Sequence, residues 1–132
     1  LFPTGAGTTT GLTPSTGANY TTVDETAPNT TDYNGSATDE LFDTYALGNL
    51  TTTAGTILGI NIWGYTAKSD AGVKGGAIML RSGGTDYEKT DITLGTGYLY
   101  QNEVIEVDPA TSAAWTIANV NALEAGFKAK AS

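Results

Sequence analysis

The sequence predicts an all-β fold: an antiparallel β-sandwich or jelly-roll-like single domain with an extended N-terminal arm. Three observations predict it. Gly (17) and Thr (24) fill 41 of the 132 positions; the first weakens helix interiors and the second favours strands and turns. Period-two apolar patterns recur through the second half of the chain, separated by short turns rich in Gly, Ser and Asp. A chain of 132 residues supplies one hydrophobic core and is too short for two. The arm is expected over residues 1–22 and the sandwich over residues 23–132. These patterns separate a sandwich from a bundle or an α/β fold, and leave a closed barrel open.

Taken in order, Leu1 to Asn19 carries no charge and consists mostly of Gly, Thr, Ser, Pro and Ala. Such a stretch has too few large apolar groups to fold alone, because ordering each residue costs about 1–2 kcal/mol of backbone entropy. It is either a loose tail or an arm that becomes ordered on a neighbouring subunit. We expect the arm, with Leu1, Phe2 and Pro3 as its docking tip. From Val23 to Asn49 the pattern is irregular, with turn signals at Ala27-Pro28-Asn29 and Asn34-Gly35; Leu41–Leu47 fits a helical turn or an edge strand equally. In Thr56–Ala67 the positions Leu58, Ile60 and Ile62 form one apolar face, and Asn61, Trp63 and Tyr65 form a mixed one. The apolar run Ala77–Leu80 precedes Ser82-Gly83-Gly84-Thr85-Asp86, so a hairpin onto Tyr87–Leu94 is expected. A long strand follows over Tyr98–Val107, with Leu99, Ile105 and Val107 on one side, and Asp108-Pro109 ends it. Thr116 is placed to cap a short helix from Ile117. Leu123, Ala125, Phe127 and Ala129 then alternate with Glu124, Gly126, Lys128 and Lys130 as a closing strand.

The absences narrow the chemistry. The chain has no His and no Cys, which removes Ser–His and Cys–His nucleophiles, His- or Cys-based zinc sites and disulfides. Fourteen acidic against six basic residues give a formal charge of −8, and no Lys or Arg precedes Lys68. Such a surface repels phosphate backbones, so no nucleic-acid partner is expected. No apolar run is long enough for a transmembrane helix, and no membrane partner is expected. Carboxylate catalysis is what remains. Glu103 and Glu106 point to opposite faces of a strand. Asp86 and Glu88 share a face at roughly 7 Å but sit beside a turn, where solvated charges are common. Glu106-Val-Asp108 begins a jelly-roll glucanase pattern, yet Thr111 stands where its second Glu belongs. Asp32-Tyr33-Asn34-Gly35 lacks the spacing of a calcium loop. Trp63, Tyr65, Tyr98 and Tyr100 fit either cross-strand packing or a sugar-stacking platform. We expect no enzyme, no catalytic or metal-binding residue and no cofactor.

Several blocks carry a resemblance: Val23-Asp24-Glu25, Thr31-Asp32-Tyr33, Asp43–Leu50, Lys68–Gly72, Leu80–Tyr87, Asp108–Thr116 and Val120–Gly126. Arg81-Ser-Gly-Gly-Thr-Asp-Tyr87 and Trp115-Thr with Asn121-Ala-Leu-Glu-Ala-Gly126 are the specific ones. In this order, from about Val23 to Phe127, the chain resembles small virion structural proteins of tailed bacteriophages. The resemblance implies a sandwich-like particle component with no catalytic residues to carry over. Together with the neutral arm, it leads to the expectation of a capsid decoration (cement) protein on the virion surface. Its partners would be the major capsid protein and copies of itself, as a trimer. The alternative is a tail-associated or surface adhesin module that binds host glycan.

Overall fold

The computed structural model describes residues 1–72 and 74–131. Its elements, in chain order, begin with β1 (Pro3–Thr10), β2 (Thr13–Pro14), a 3-10 turn (Asn19–Thr22), β3 (Asn34–Gly35) and β4 (Phe42–Leu47). β5 (Ile60–Thr66), β6 (Lys74–Ser82), β7 (Thr85–Thr93), β8 (Leu99–Ile105) and β9 (Val107–Asp108) follow. The chain closes with β10 (Ala113–Ala114), α1 (Ile117–Ala122) and β11 (Glu124–Ala131). Five strands form one antiparallel sheet in the order β1-β4-β11-β6-β7, and β5 pairs with β8 as a separate ribbon. The all-β, antiparallel expectation holds.

The hairpin expected at Gly83-Gly84 joins β6 to β7, with Ser82 opposite Thr85. Both glycines adopt positive φ (57° and 84°), the conformation a two-residue primed turn requires and side chains resist. β11, anticipated from its alternation, is the central strand, lying between β4 and β6. Ala125 sits opposite Tyr45 and Leu80, and Phe127 opposite Asp43 and Ile78, which defines the inner face. Lys128 and Lys130 fall on the outer face, where they pair with Glu88 (both 2.5–2.6 Å), Lys130 with Asp91 (2.6 Å) and Lys128 with Glu40.

On the inner face Leu80, Leu123 and Ala125 pack with Ile105, Trp115 and Val120, and Ile60 and Ile62 of the ribbon press on this cluster. Trp115 is fully inside, and its indole N–H donates to the Ile105 carbonyl (2.9 Å). The cluster exists because α1 forms where expected: the Thr116 hydroxyl accepts from the Asn119 amide (3.1 Å), capping the helix and turning Val120 inward.

Three expectations change. Residues 1–22 do not stand apart from the remainder: β1 lies along β4 of its own chain, because the otherwise unpaired backbone of Pro3–Thr10 finds a ladder there. Leu58 precedes β5 and is 85% exposed, so the apolar face of that strand begins at Ile60. The strand expected over Tyr98–Val107 breaks at Glu106, which leaves Val107 in solvent and only Ile105 buried; Leu99 is also exposed. Asn34-Gly35, a turn signal in the sequence, pairs with Thr13-Pro14.

Candidate functional site

Two regions without charge on their outward surfaces border the inner face: the N-terminal segment and the β5–β8 ribbon. The first is held by carboxylates. β1 bulges between Ala6 and Thr10, which turns the Thr8 amide out of the ladder. Glu124 meets it: its carboxylate accepts from Thr8 N (2.8 Å), the Thr8 hydroxyl (2.8 Å) and the Thr44 hydroxyl (2.6 Å). Gly7 makes the approach possible, since a Cβ there would run into the Thr44 carbonyl and the Glu124 carboxylate. Partial burial works to raise the Glu124 carboxyl, but the bonds from Thr44 and Thr8, with Arg81 nearby, outweigh it and hold the group below the usual carboxylate range.

Asp43 fastens the rest of the segment. Fully buried in β4, it accepts from Leu12 N (2.8 Å), the Asn19 side-chain amide (2.6 Å) and the Tyr45 hydroxyl (2.9 Å). Asn34 extends the network by donating to the Tyr45 oxygen (2.7 Å) and accepting from the Thr22 hydroxyl (2.8 Å). Burial, and then the charge and hydrogen bond of Asp43, push the Tyr45 phenol well above its ordinary value.

A second buried aspartate, Asp108, accepts from the Ser82 hydroxyl (2.7 Å), Ala110 N (3.0 Å) and the Asn119 amide (2.7 Å). Burial would raise its carboxyl, and these bonds with that of Thr111 more than offset it, so it too lies below the ordinary value. Of the other acids considered for catalysis, Asp86 and Glu88 are engaged in ion pairs. Asp86 pairs with Arg81 (2.9 Å), and Glu88 is lowered chiefly by hydrogen bonds from Lys128 and Lys130. Glu103 lies on the ribbon's inner side, opposite Ile62. Among the described residues no group of three acids is placed to hold a metal ion.

The ribbon is the opposite case. Its register sets Asn61 against Val104, Trp63 against Asn102 and Tyr65 against Tyr100, so these six side chains share the outer face. None carries charge. Trp63 is 60% exposed and Tyr100 56%, and the rings brace each other: Trp63 meets Tyr100 edge to face (5.8 Å), and Tyr65 lies against Tyr100 (4.9 Å) and stacks on Tyr98 (5.2 Å). The Asn102 amide donates to the Asn61 oxygen (3.2 Å). The cross-strand packing of these aromatics leaves much of their ring surface in solvent.

Between ribbon and N-terminal segment runs an open groove of about 710 Å³. Tyr45, Leu47, Ile78, Ala125 and Phe127 of the sheet line it, as do Trp63 and Tyr65 and the loop from Thr22 to Asn34. Leu1, Phe2 and Pro3 lie along its edge; Leu1 and Phe2 are largely exposed, while Pro3 opens β1 opposite Leu47. Two lining residues, Asp32 and Thr66, carry a buried side-chain oxygen with no hydrogen-bond partner among the described residues.

Sequence reasoning did not single out Asp43, Glu124 or Asp108 as anchors. For Asp108 a signal was present: Asp followed by Pro, Thr and Ser marks a side chain that caps its own turn. Asp43 sits in an apolar stretch whose depth no local pattern reports. No protein-family model, curated protein or solved structure matches the chain.

Proposed function

We propose that the chain is a structural component of a tailed-bacteriophage particle, a capsid decoration protein that binds the major capsid protein and copies of itself as a trimer. The observation that carries this reading is the contrast between the two edges of the sheet. β7, at one edge, bears Asp86, Glu88, Lys89 and Asp91, the charges that keep edge strands from pairing with other chains. β1, at the other, bears none, and no charged side chain occurs before Asp24. In a chain of formal charge −8, a neutral edge is where copies and shell subunits can approach without repulsion and add backbone hydrogen bonds. The exposed Leu1-Phe2 tip supplies apolar contact beside it. In the same reading the ribbon and α1 form the reduced second layer of a sandwich.

The test alters the edge without removing it, because deleting residues 1–19 would strip β4 and take away two of the three donors to Asp43. Phe2→Ser with Ala6→Lys adds a charge to an exposed position of β1. We expect an unchanged circular dichroism spectrum and at least tenfold lower occupancy on capsids; unchanged occupancy would refute the edge as the contact. Quantitative mass spectrometry of purified particles separates this reading from a tail-associated module. Hundreds of copies per particle support decoration, and a few dozen or fewer support the tail.

A further inference from the structure

We propose that the groove and its aromatic rim form a binding site for an uncharged oligosaccharide. The inference does not rest on where the protein sits on a particle. Three independent features converge. First, the rim presents exposed rings held rigid by one another on paired strands. The negative face of an aromatic ring attracts the polarised C–H groups of a sugar, and braced rings lose little freedom on binding. Second, Asn61 and Asn102 lie side by side on the same face as Trp63, and each amide both donates and accepts, as a hydroxyl does. Third, Asp32 and Thr66 line the groove behind the rim, and each has a buried side-chain oxygen with no hydrogen-bond partner among the described residues. An unpartnered buried acceptor is costly, and a polyol brings the donors that satisfy it. A volume of about 710 Å³ lies within the range of small-ligand sites, which are mostly apolar with a few placed polar groups.

The six outer-face residues of the rim are neutral in a chain of formal charge −8, so an anionic glycan has no cation to meet there. A second copy of the chain fits less well. Two seven-residue strands offer a face of about 20 by 10 Å, on the order of 200 Å², whereas a stable protein interface covers about 800 Å² on each partner.

The experiment uses the full chain and its two tryptophans. Trp115 is buried and Trp63 exposed, so a change in emission on binding reports the rim. A glycan microarray selects the probe, and the neutral oligosaccharide with the strongest signal is titrated against the wild type by fluorescence and calorimetry. Expected are a saturable blue shift, no comparable response to sulfated or uronic-acid oligosaccharides, and a tenfold or greater loss of affinity by calorimetry in Trp63→Ala. Asp32→Asn should weaken binding severalfold while the fold, read by circular dichroism, stays unchanged. No neutral glycan bound on the array, or an equal response to anionic glycans, would overturn the proposal. So would affinity unaffected by both substitutions. Concentration-dependent self-association that Trp63→Ala abolishes would assign the face to a second copy instead.

Discussion

The N-terminal segment and the β5–β8 ribbon are both free of charge on their outward surfaces, yet the structure treats them in opposite ways. The first is fastened to the sheet by carboxylates from its neighbours: Glu124 takes the bulged amide of Thr8, and Asp43 takes Leu12 and Asn19. Among the described residues the ribbon has no such fastening on its outer face. It rests on the core through Ile60, Ile62 and Ile105 and leaves Trp63 and Tyr100 in solvent. The difference teaches that the same neutrality serves two ends here. Where acids from the body reach in, a segment poor in side chains becomes part of the fold. Where none does, the neutral surface keeps its rings in solvent.

Removing a fastening is the strongest way to break the contrast. Asp43→Ala would leave the Leu12 amide, the Asn19 amide and the Tyr45 hydroxyl without their buried acceptor. Each stranded donor costs about 1–3 kcal/mol, so the loss should be about 4 kcal/mol after local relaxation. Urea unfolding measures it. Hydrogen exchange should place the fastest new exchange at residues 9–22, with the ribbon amides unchanged. If the ribbon opened together with the segment, the two regions would not be separately fastened.

Glu124→Gln is a finer version of that test. It keeps one acceptor oxygen where the carboxylate offers two to three donors, and should cost about 1.5 kcal/mol. Acid does the same without mutation. Glu124 and Asp108 are held below the ordinary carboxylate range, so the unfolded chain takes up protons before the folded one does. Their contribution is complete above the unfolded value, near pH ~4, and is lost as pH falls through the folded values. Urea midpoints should therefore be level around neutrality and decline below about pH 4. In Glu124→Gln the decline should be shallower by the share of that residue.

Much of this architecture was legible and some was not, for physical reasons. The Gly83-Gly84 turn, the Thr116 cap and the alternation of β5 and β11 are local rules, and each appears where its residues dictate. The place of β11 in the middle of the sheet is not local: its alternation says that one face is buried, not which strands flank it. The docking of β1 was hidden for a related reason. Thr and Gly announce an extended backbone, but the partner that holds it is Glu124, 116 residues away from Thr8. Of the candidate site, the ring residues of the rim were visible as a period-two pattern. The groove was not, because it lies between segments brought together only by the fold.

The smallest expected effect sharpens the comparison most, because it asks whether the ribbon's rings belong to the fold or to its surface. Trp63→Ala removes an edge-to-face contact with Tyr100, a pairing that adds about 0.5–1.5 kcal/mol beyond buried area. With 60% of the residue exposed, little apolar burial is forfeited and no cavity opens, so the loss should be about 1 kcal/mol or less. A fully buried tryptophan in the same replacement costs about 3–5 kcal/mol, and Trp115 supplies that reference within the same chain. If Trp63→Ala approached the Trp115→Ala value in urea unfolding, the outer face would be covered in solution and the ring would be a core residue. A small loss, with the Trp115 emission unchanged, means that the ring stays in solvent and adds little to folding. Such a residue, braced on two strands and facing outward, is available for a ligand.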